Sequence, residues 1–348
     1  MMAQDLASLL LDWFETHRRE LPWREDNPRN PYHVWISEIM LQQTRTEAVK
    51  GYFSAWMDRF PTVEALAEAS EAEVLHAWQG LGYYSRARNI HKAAGEIAAA
   101  YGGRFPRDEK EIRSLPGIGD YTAGAILSLA YGEKVPAVDG NVLRVYARLY
   151  DVEEDITRTK GKKEIRALVE KTLPERAGDF NEALMDLGSE ICIPRRPRCS
   201  ECPLASLCEA FRKGKTESLP VRVPKKKQKE YNAFCAVWIR DGKVLLHKRG
   251  KTGMLASMWE FPMVLSEAEA DISAGRKELE QMLDGKAEEL VWSYTHIFTH
   301  RIWHMKAYLF EAGQVPEGEY RWFSPEEYQR IPLAGPHAKL AALAEKYV

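Results

Sequence analysis

The sequence predicts a mainly α chain in two domains: an all-helical first part, then a smaller α+β part. Three observations lead to that expectation. Apolar residues recur at helical spacing through residues 1–220, with no sustained strand-like alternation. Four of the five cysteines crowd into positions 192–208, which suits a metal-binding loop better than a disulfide scaffold. Beyond residue 230, short apolar runs with β-branched members are separated by turns. The length, 348 residues, accommodates two domains of ~150 residues. The expected division is 1–212 helical, 213–230 basic linker, and 231–348 α+β.

Leu6, Leu9, Leu10, Trp13 and Phe14 mark the first helix. Val34, Ile39, Met40 and Leu41 mark another, and Ala65, Leu66, Val74, Leu75 and Trp78 later ones. Pro22, Asn27-Pro28, Pro61, Gly80, Gly102-Gly103, Pro116-Gly117 and Gly140 punctuate them. Pro220, Pro224 and Lys225-Lys226-Lys227 predict an exposed, extended tether. After it, residues 234–239 and 244–247 flank the turn 240–243, a hairpin signal. A helix is expected over 267–283, strands over 290–298 and 302–310, and a closing helix over 338–347.

Hydrophobic residues make up 45% and charged residues 29%, as in ordinary globular proteins, which argues against dominant disorder. No run of ~18 apolar residues occurs, so no membrane-spanning helix is expected. The start carries Asp5 and no basic stretch, unlike a secretory leader. Net charge is −2, with 30 basic and 34 acidic residues before position 221, five and one in 221–230, and 14 and 16 thereafter. A polyanionic partner must therefore be met by local patches. The odd cysteine count, with Cys235 alone in an apolar run, fits a reducing, cytoplasmic compartment.

Cys192, Cys199, Cys202 and Cys208 stand at C-x6-C-x2-C-x5-C. Structural zinc usually takes two short knuckles. A single C-x2-C with long arms suits the wider corners of a 4Fe-4S cluster; zinc is the alternative. Arg195, Arg196 and Arg198 fill the first arm, either as a basic prong for phosphate or as a solvated run.

Leu115-Pro116-Gly117-Ile118-Gly119, then Thr122-Ala123-Gly124-Ala125, reads as helix, tight turn, helix. Gly117 and Gly119 allow backbone conformations that other residues resist, and they bare N–H groups where an anion can sit. Asp139 follows, among Val135, Ala137 and Val138 and before Gly140. It is either a helix N-cap with a structural job or a carboxylate placed for chemistry. Glu38 lies among Trp35, Ile36, Ile39 and Met40. Apolar company keeps a carboxyl protonated to higher pH, as a general acid requires; the alternative is a surface glutamate.

The cysteine spacing resembles the cluster loop of the endonuclease III superfamily of DNA glycosylases. The hairpin with its following aspartate resembles the helix-hairpin-helix members, in which that aspartate is catalytic. Bifunctional members carry a lysine two residues after the second glycine. Here that position is Tyr121, so the resemblance implies a monofunctional enzyme with water as acceptor. Residues 36–45, with Pro22-Trp23-Arg24 before and residues 80–86 after, resemble the MutY adenine DNA glycosylases.

That resemblance implies a two-lobed helix-hairpin-helix glycosylase domain with an iron–sulfur cluster loop. It implies removal of adenine opposite 8-oxoguanine or guanine in duplex DNA, in base excision repair. Glu38 would protonate adenine N7, Asp139 would stabilise the sugar cation, and Asn141 and Tyr121 would orient or shield that centre. Trp23, Arg24 and Glu182 would line the adenine pocket, and Gln43 and Thr44 would contact the lesion strand. Leu81 and Tyr83 would wedge into the gap left by base flipping, with Tyr84 beside them. Gly117 and Gly119 would hold a DNA phosphate, and the four cysteines one 4Fe-4S cluster. The chemistry asks for the same acid pair. A purine N-glycosidic bond breaks dissociatively, so it needs a proton on the base and negative charge beneath the sugar.

Residues 254–262 resemble the nudix-like C-terminal domain of the same family. Residues 276–281 only faintly echo a Mg²⁺-binding helix, because Glu278 and Glu280 diverge on a helix. Lesion recognition is therefore expected there rather than hydrolysis. Phe298-Thr299-His300 matches the lesion-reading loop, with Thr299 where serine is usual. His247, His296, His300 and His304 offer a metal site as the alternative. A monomer acting on nucleoid DNA in a bacterial cytoplasm is implied. The rivals are a non-enzymatic iron–sulfur DNA-binding module, a bifunctional glycosylase/lyase and a nucleotide-pool hydrolase.

Overall fold

The computed structural model describes residues 2–223, 227–268 and 272–348. In chain order the first helices are α1 (Met2–His17), α2 (Pro31–Leu41), α3 (Thr46–Arg59), α4 (Val63–Glu68), α5 (Glu71–Ala77) and α6 (Ser85–Tyr101). They are followed by α7 (Glu109–Ser114), α8 (Asp120–Ala125), α9 (Gly140–Leu149), α10 (Thr159–Thr172), α11 (Ala177–Glu190) and α12 (Glu209–Arg212). Two compact units form: Met1–Glu68 with Asn89–Pro224, and Ala69–Arg88 with Lys225–Val348. The expected division, 1–212, 213–230 and 231–348, differs in that residues 69–88 group with the strand-rich unit.

In the first unit, Leu6, Leu10 and Phe14 of α1 share one core with Val145 and Tyr146 of α9, Val169 of α10 and Leu184 of α11. Burying each such side chain contributes roughly 1.5–3 kcal/mol. Helix α2 starts on the Asn30 side-chain cap with Pro31 at its first turn. It is buried on nearly every side from Tyr32 to Met40, which explains why its apolar residues do not form one stripe. The Tyr32 hydroxyl donates to Phe60 O (2.7 Å) and accepts from Trp56 Nε1 (3.0 Å), tying α2 to α3.

The linker is not the free tether expected from its composition. Lys213 and Lys215 pair with Asp151 and Glu153 (2.7 and 2.6 Å). Leu219 O accepts from Arg148 Nε (3.0 Å) and Val221 O from the Ile156 N–H (3.2 Å). The acids at 151 and 153 neutralise the lysines, and alternate backbone groups find partners, so residues 213–223 lie strapped to the helical unit. Pro224, Lys225 and Lys226 lie outside the described residues.

The second unit carries β1 (Lys229–Arg240), β2 (Lys243–Lys248), β3 (Trp259–Glu260), β4 (Met263–Glu267), β5 (Ala287–Ile297), β6 (Arg301–Phe310) and β7 (Tyr320–Phe323). Its further helices are α13 (Ile272–Met282), α14 (Pro325–Tyr328) and α15 (Gly335–Ala344). The sheet order is β3-β2-β1-β6-β5, with β4 also on β1 and β7 on β2; only β1 and β6 are parallel neighbours in it. Along β1, Ala233, Cys235 and Val237 face the α15 side with Leu340 and Ala341, while Phe234, Ala236 and Trp238 face the α13 side with Leu279. Burial on both faces explains the unbroken apolar run that marked this strand.

The hairpin and the two longer strands lie where they were expected. The helix expected from 267 begins only at Ile272, because Glu267 ends β4 opposite Tyr231; residues 269–271 lie outside the described residues. The closing helix begins earlier than expected, at Gly335 with Pro336 in its first turn. Strands β3, β4 and β7 were not anticipated. They are two to five residues long, too short to show a period.

Candidate active site

A cleft of about 870 Å³ in the first unit gathers Trp23, Arg24, Glu38, Gln43, Thr44, Tyr121, Asp139, Asn141 and Glu182. Glu38 reaches it from α2 and is 6% exposed. Its Oε2 accepts the Tyr121 hydroxyl, which leaves Oε1 to hold a proton. Burial pushes the carboxyl up to about 7; the Tyr121 hydrogen bond opposes this, and the charges of Asp139 and Glu182 add to it. Burial, reinforced by the charge of Glu38, holds the Tyr121 phenol well above its ordinary value, so it remains a donor.

Asp139 has the helix-capping job that its sequence context allowed, and its side chain also lines the cleft. It is the N-cap of α9: Oδ1 accepts from the N–H groups of Asn141 and Val142 (2.8 and 2.7 Å). Oδ2 accepts from Asn141 Nδ2 (2.8 Å) while the side chain lines the cleft. Burial raises this carboxyl too, but those three donors and Arg144 pull it back toward the charged form. Of the two acids, Asp139 is therefore the one equipped to carry charge, and Glu38 the one equipped to carry a proton.

Several residues that hold this arrangement were missed at the sequence level. Arg144 Nη2 donates to Asn141 Oδ1 (2.8 Å) and Gly188 O (2.6 Å), and its Nε donates to Cys192 O (2.7 Å). A Cβ at Gly188 would stand 2.6 Å from that of Asn141, so only glycine lets α11 approach the start of α9 here. Asn181, fully buried, bonds Ala137 N, Val135 O and Ser128 Oγ, and so fixes the segment leading into Asp139. Arg24 pairs with Glu182 (3.1 Å) and Asp186 (2.7 Å), Arg29 also with Glu182 (2.8 Å), and Arg19 with Asp186. The available signal was Glu182 and Asp186 spaced i,i+4 on one helix face, opposite an arginine-rich segment at 18–29.

Trp23 is buried edge-on to Phe53 (5.5 Å). Gln43 and Thr44 follow α2, with Gln43 in the left-handed region (φ 61°). The hairpin between α7 and α8 bears out the glycine argument at one position only. Gly117 has φ 78° and Asn89 where a Cβ would go. Gly119 is extended (φ −98°), which any residue adopts, and serves instead as an uncrowded helix cap.

Cys192, Cys199, Cys202 and Cys208 line one pocket with Arg148, and no disulfide involves them. Arg148, 1% exposed, donates to Cys192 Sγ (3.4 Å), Ile193 O (2.7 Å) and Pro194 O (3.0 Å). Burial pushes the Cys202 thiol up to about 12 and raises Cys199 and Cys208, so a cationic core is what would make these sulfurs thiolates. Among the described residues no three His, Cys, Asp or Glu side chains converge as a single-ion site; the thiols instead ring a shared space. This donor set fits an iron–sulfur cluster, which Cys192, Cys199, Cys202 and Cys208 would hold and which would cross-link the loop. In the basic arm, the Arg196 N–H donates to Glu217 Oε1 (2.8 Å), and Arg198 pairs with Glu201 (3.1 Å).

The remaining expected residues lie in the second unit. Leu81, Tyr83, Tyr84, Phe298, Thr299 and His300 line a cleft of about 560 Å³ there. The hydroxyls of Tyr83 and Thr299 hydrogen-bond each other. Leu81 and Tyr84 are buried, and Tyr83 is exposed at φ 48°. Arg86, also missed, donates to Leu81 O (3.0 Å) and Gly82 O (3.2 Å) and lies over the rings of Trp78 and Tyr83. Phe298 packs against His296 and Trp303 (4.3 and 4.9 Å). On α13, Glu280 is occupied by Arg276 (3.2 Å) and Ala287 N (3.0 Å).

Residues 36–175 match the HhH-GPD superfamily of base excision DNA repair proteins, and residues 192–208 match the iron–sulfur binding domain of endonuclease III. Residues 233–343 match a NUDIX domain. Adenine DNA glycosylase of Homo sapiens is 34% identical, covering 92% of this chain and 70% of its own length. That of Buchnera aphidicola subsp. Acyrthosiphon pisum is 33% identical over 96% of both chains. The chain belongs to the adenine DNA glycosylase family.

A solved thermostable thymine-DNA glycosylase shares 32% identity and a TM-score of 0.55, covering 61% of this chain and 97% of that one. A trapped endonuclease III–DNA covalent intermediate shares 26% and 0.52, over 61% and 98%. This member of the adenine DNA glycosylase family is thus a DNA N-glycosylase, a hydrolase of base excision repair with DNA as substrate. Its cysteine loop is an iron–sulfur binding domain, and its C-terminal unit has the nudix fold. Among the described residues no helix is long and apolar enough to cross a membrane.

Proposed function

We propose that this glycosylase hydrolyses the N-glycosidic bond of adenine mispaired with 8-oxoguanine, or with guanine, without lyase activity. What carries the reading is one cleft holding two acids in opposite protonation environments, Glu38 raised to about 7 and Asp139 bonded by three donors. Glu38 Oε1 gives its proton to adenine N7 as the N9–C1′ pair leaves with the base. Asp139 faces the cationic sugar, and Asn141 and Tyr121 orient the two carboxyls. Water then adds at C1′ and returns its proton to Glu38, which restores both groups. Trp23, Arg24 and Glu182 form the adenine pocket, and Gly117 and Gly119 offer bare N–H groups to a phosphate. Gln43 and Thr44 meet the opposite strand. Tyr83, with Leu81 behind it, fills the vacated stack, and Phe298, Thr299 and His300 read the lesion. The enzyme acts as a monomer, on DNA in a reducing cytoplasm.

Tyr121 stands where a lyase would need its amine, which supports hydrolysis by water. Duplexes carrying each mismatch, treated with alkali, should show strand breaks at A opposite 8-oxoguanine and A opposite guanine only. Borohydride should trap no protein–DNA adduct; a trapped adduct would overturn the monofunctional reading. Thr299→Ala should lower the preference for 8-oxoguanine over guanine more than it lowers the guanine rate, and equal losses would remove the loop from lesion reading.

The pocket of four thiols supports a 4Fe-4S cluster held by Cys192, Cys199, Cys202 and Cys208. Metal analysis of protein purified without air should find about four irons and four sulfides per chain; one zinc per chain would reverse the assignment.

A further inference from the structure

Two cations on the lip of the cleft have no role in the reading above. Lys162 on α10 and Arg222 in the strap both line the cleft that contains Asp139, Gly140 and Asn141. They stand 60 positions apart in sequence, and a single loop brings them together. Val221 O accepts the Ile156 N–H (3.2 Å), and the Val223 N–H bonds the Asp155 carboxylate. Arg222 is therefore held between two residues anchored on residues 155–156. Gly161, the neighbour of Lys162, packs on the same spot: its Cβ would stand 2.4 Å from Asp155 O.

Both side chains are exposed, and among the described residues neither makes an ion pair. Asp155, against which Gly161 packs, is engaged by Thr157 N and Oγ1 (2.8 and 2.7 Å), by the Val223 N–H and by Arg158 (3.5 Å). Arg166, one turn beyond Lys162, also lines the cleft but pairs with Glu170 (2.9 Å). The charge of Arg222 reaches inward as far as Arg144, the residue bonded to Asn141.

Two exposed cations that line one cleft and make no ion pair among the described residues are free to attract an anion. The cleft they border holds Glu38, Asp139 and Glu182, so a DNA strand entering it brings phosphates toward carboxylates. We propose that Lys162 and Arg222 form a phosphate clamp on the strand that delivers the flipped nucleotide, gripping the phosphodiesters that flank it at the Gly140–Asn141 end of the cleft. The clamp rests on the reading of that cleft as the place where the nucleotide is received.

Neutralising a phosphate releases condensed counter-ions, so each true contact steepens the salt dependence of binding by about one unit of log Kd per log unit of salt. The probe is a duplex bearing a tetrahydrofuran abasic residue, followed by anisotropy between about 50 and 200 mM salt. It has the phosphates but no adenine, so its result does not depend on which base the enzyme removes. Lys162→Gln and Arg222→Gln should each lower the slope by about one unit, and the double variant by about two. Lys171→Gln, exposed on the same helix but outside the cleft, should leave the slope unchanged. Replacing the two flanking phosphates by neutral methylphosphonates should abolish the difference between wild type and double variant. A double variant that keeps the full slope, or one equally impaired on the methylphosphonate duplex, overturns the clamp. Loss of adenine specificity in the mismatch assay with the slope change intact would overturn the substrate reading alone.

Discussion

Glu38→Gln is expected to abolish adenine release while leaving DNA binding intact. The substitution preserves volume and an acceptor for the Tyr121 hydroxyl, so α2 and its contacts stay as they are. It removes only the proton. General acid catalysis of this kind supplies about 10²–10⁴-fold, and a single-turnover assay at saturating enzyme reads the loss directly. Retained turnover would end the assignment. The pH profile gives an independent check of sign. The active form of Glu38 is protonated, and burial holds its titration at about 7. The rate should therefore be full below that value and fall tenfold per unit above it. On the acid side, Asp139 must be ionised, and burial has raised it, so the rate should fall again there. The wild-type profile is a bell, and any residual activity of Glu38→Gln should lack the alkaline limb. Tyr121→Phe removes a hydrogen bond that favours the charged form of Glu38, which should move the alkaline limb to higher pH.

Features of this site whose chemistry is local were legible in the sequence. Four thiols within one loop, two glycines in a tight turn, and a glutamate among Trp35, Ile36, Ile39 and Met40 each specify their surroundings within a few residues. The features that could not be read depend on partners far along the chain. The i,i+4 spacing of Glu182 and Asp186 signals a cationic partner without saying that it is Arg24, and nothing near Asn181 announces Ala137, because those pairs meet only after α1, α2 and α11 have packed. Arg144 and Arg148 illustrate the difficulty. As arginines on an amphipathic helix they count as surface residues, yet both are buried because the Cys192 loop presents backbone carbonyls to their guanidinium groups. The same holds for the fold. Strand β1 betrayed itself through apolar residues on both faces, whereas β3 and β7 exist only because β2 offers them an edge. Residues 69–88 read as one more helical stretch. Their Tyr83 and Arg88 make side-chain bonds to Thr299 and Ala256, and no local pattern encodes that.

Asp139 poses the sharper question, because its N-cap geometry would by itself justify an aspartate. Asp139→Asn separates the two roles. Asparagine caps as well as aspartate, and its carbonyl oxygen can still accept from Asn141 N and Val142 N. Stability should therefore change little. The negative charge is gone, however, and the new amide meets the donor Asn141 Nδ2 that formerly bonded Oδ2. Losing a preorganised group aimed at developing charge costs about 10²–10³ in rate, and the single-turnover constant should fall by at least that much. Asp139→Ala completes the comparison. It removes cap and charge together, so it should be about as inactive as Asp139→Asn but less stable by about 0.5–2 kcal/mol. A residue that served only as a cap would behave in the opposite way, with Asp139→Asn active and Asp139→Ala damaged in proportion to its lost stability. Denaturation midpoints and single-turnover rates measured on the same two preparations decide between them. If the charge matters, activity will track the carboxylate and stability will track the cap, because one side chain performs two separable jobs from opposite sides of the same two oxygens.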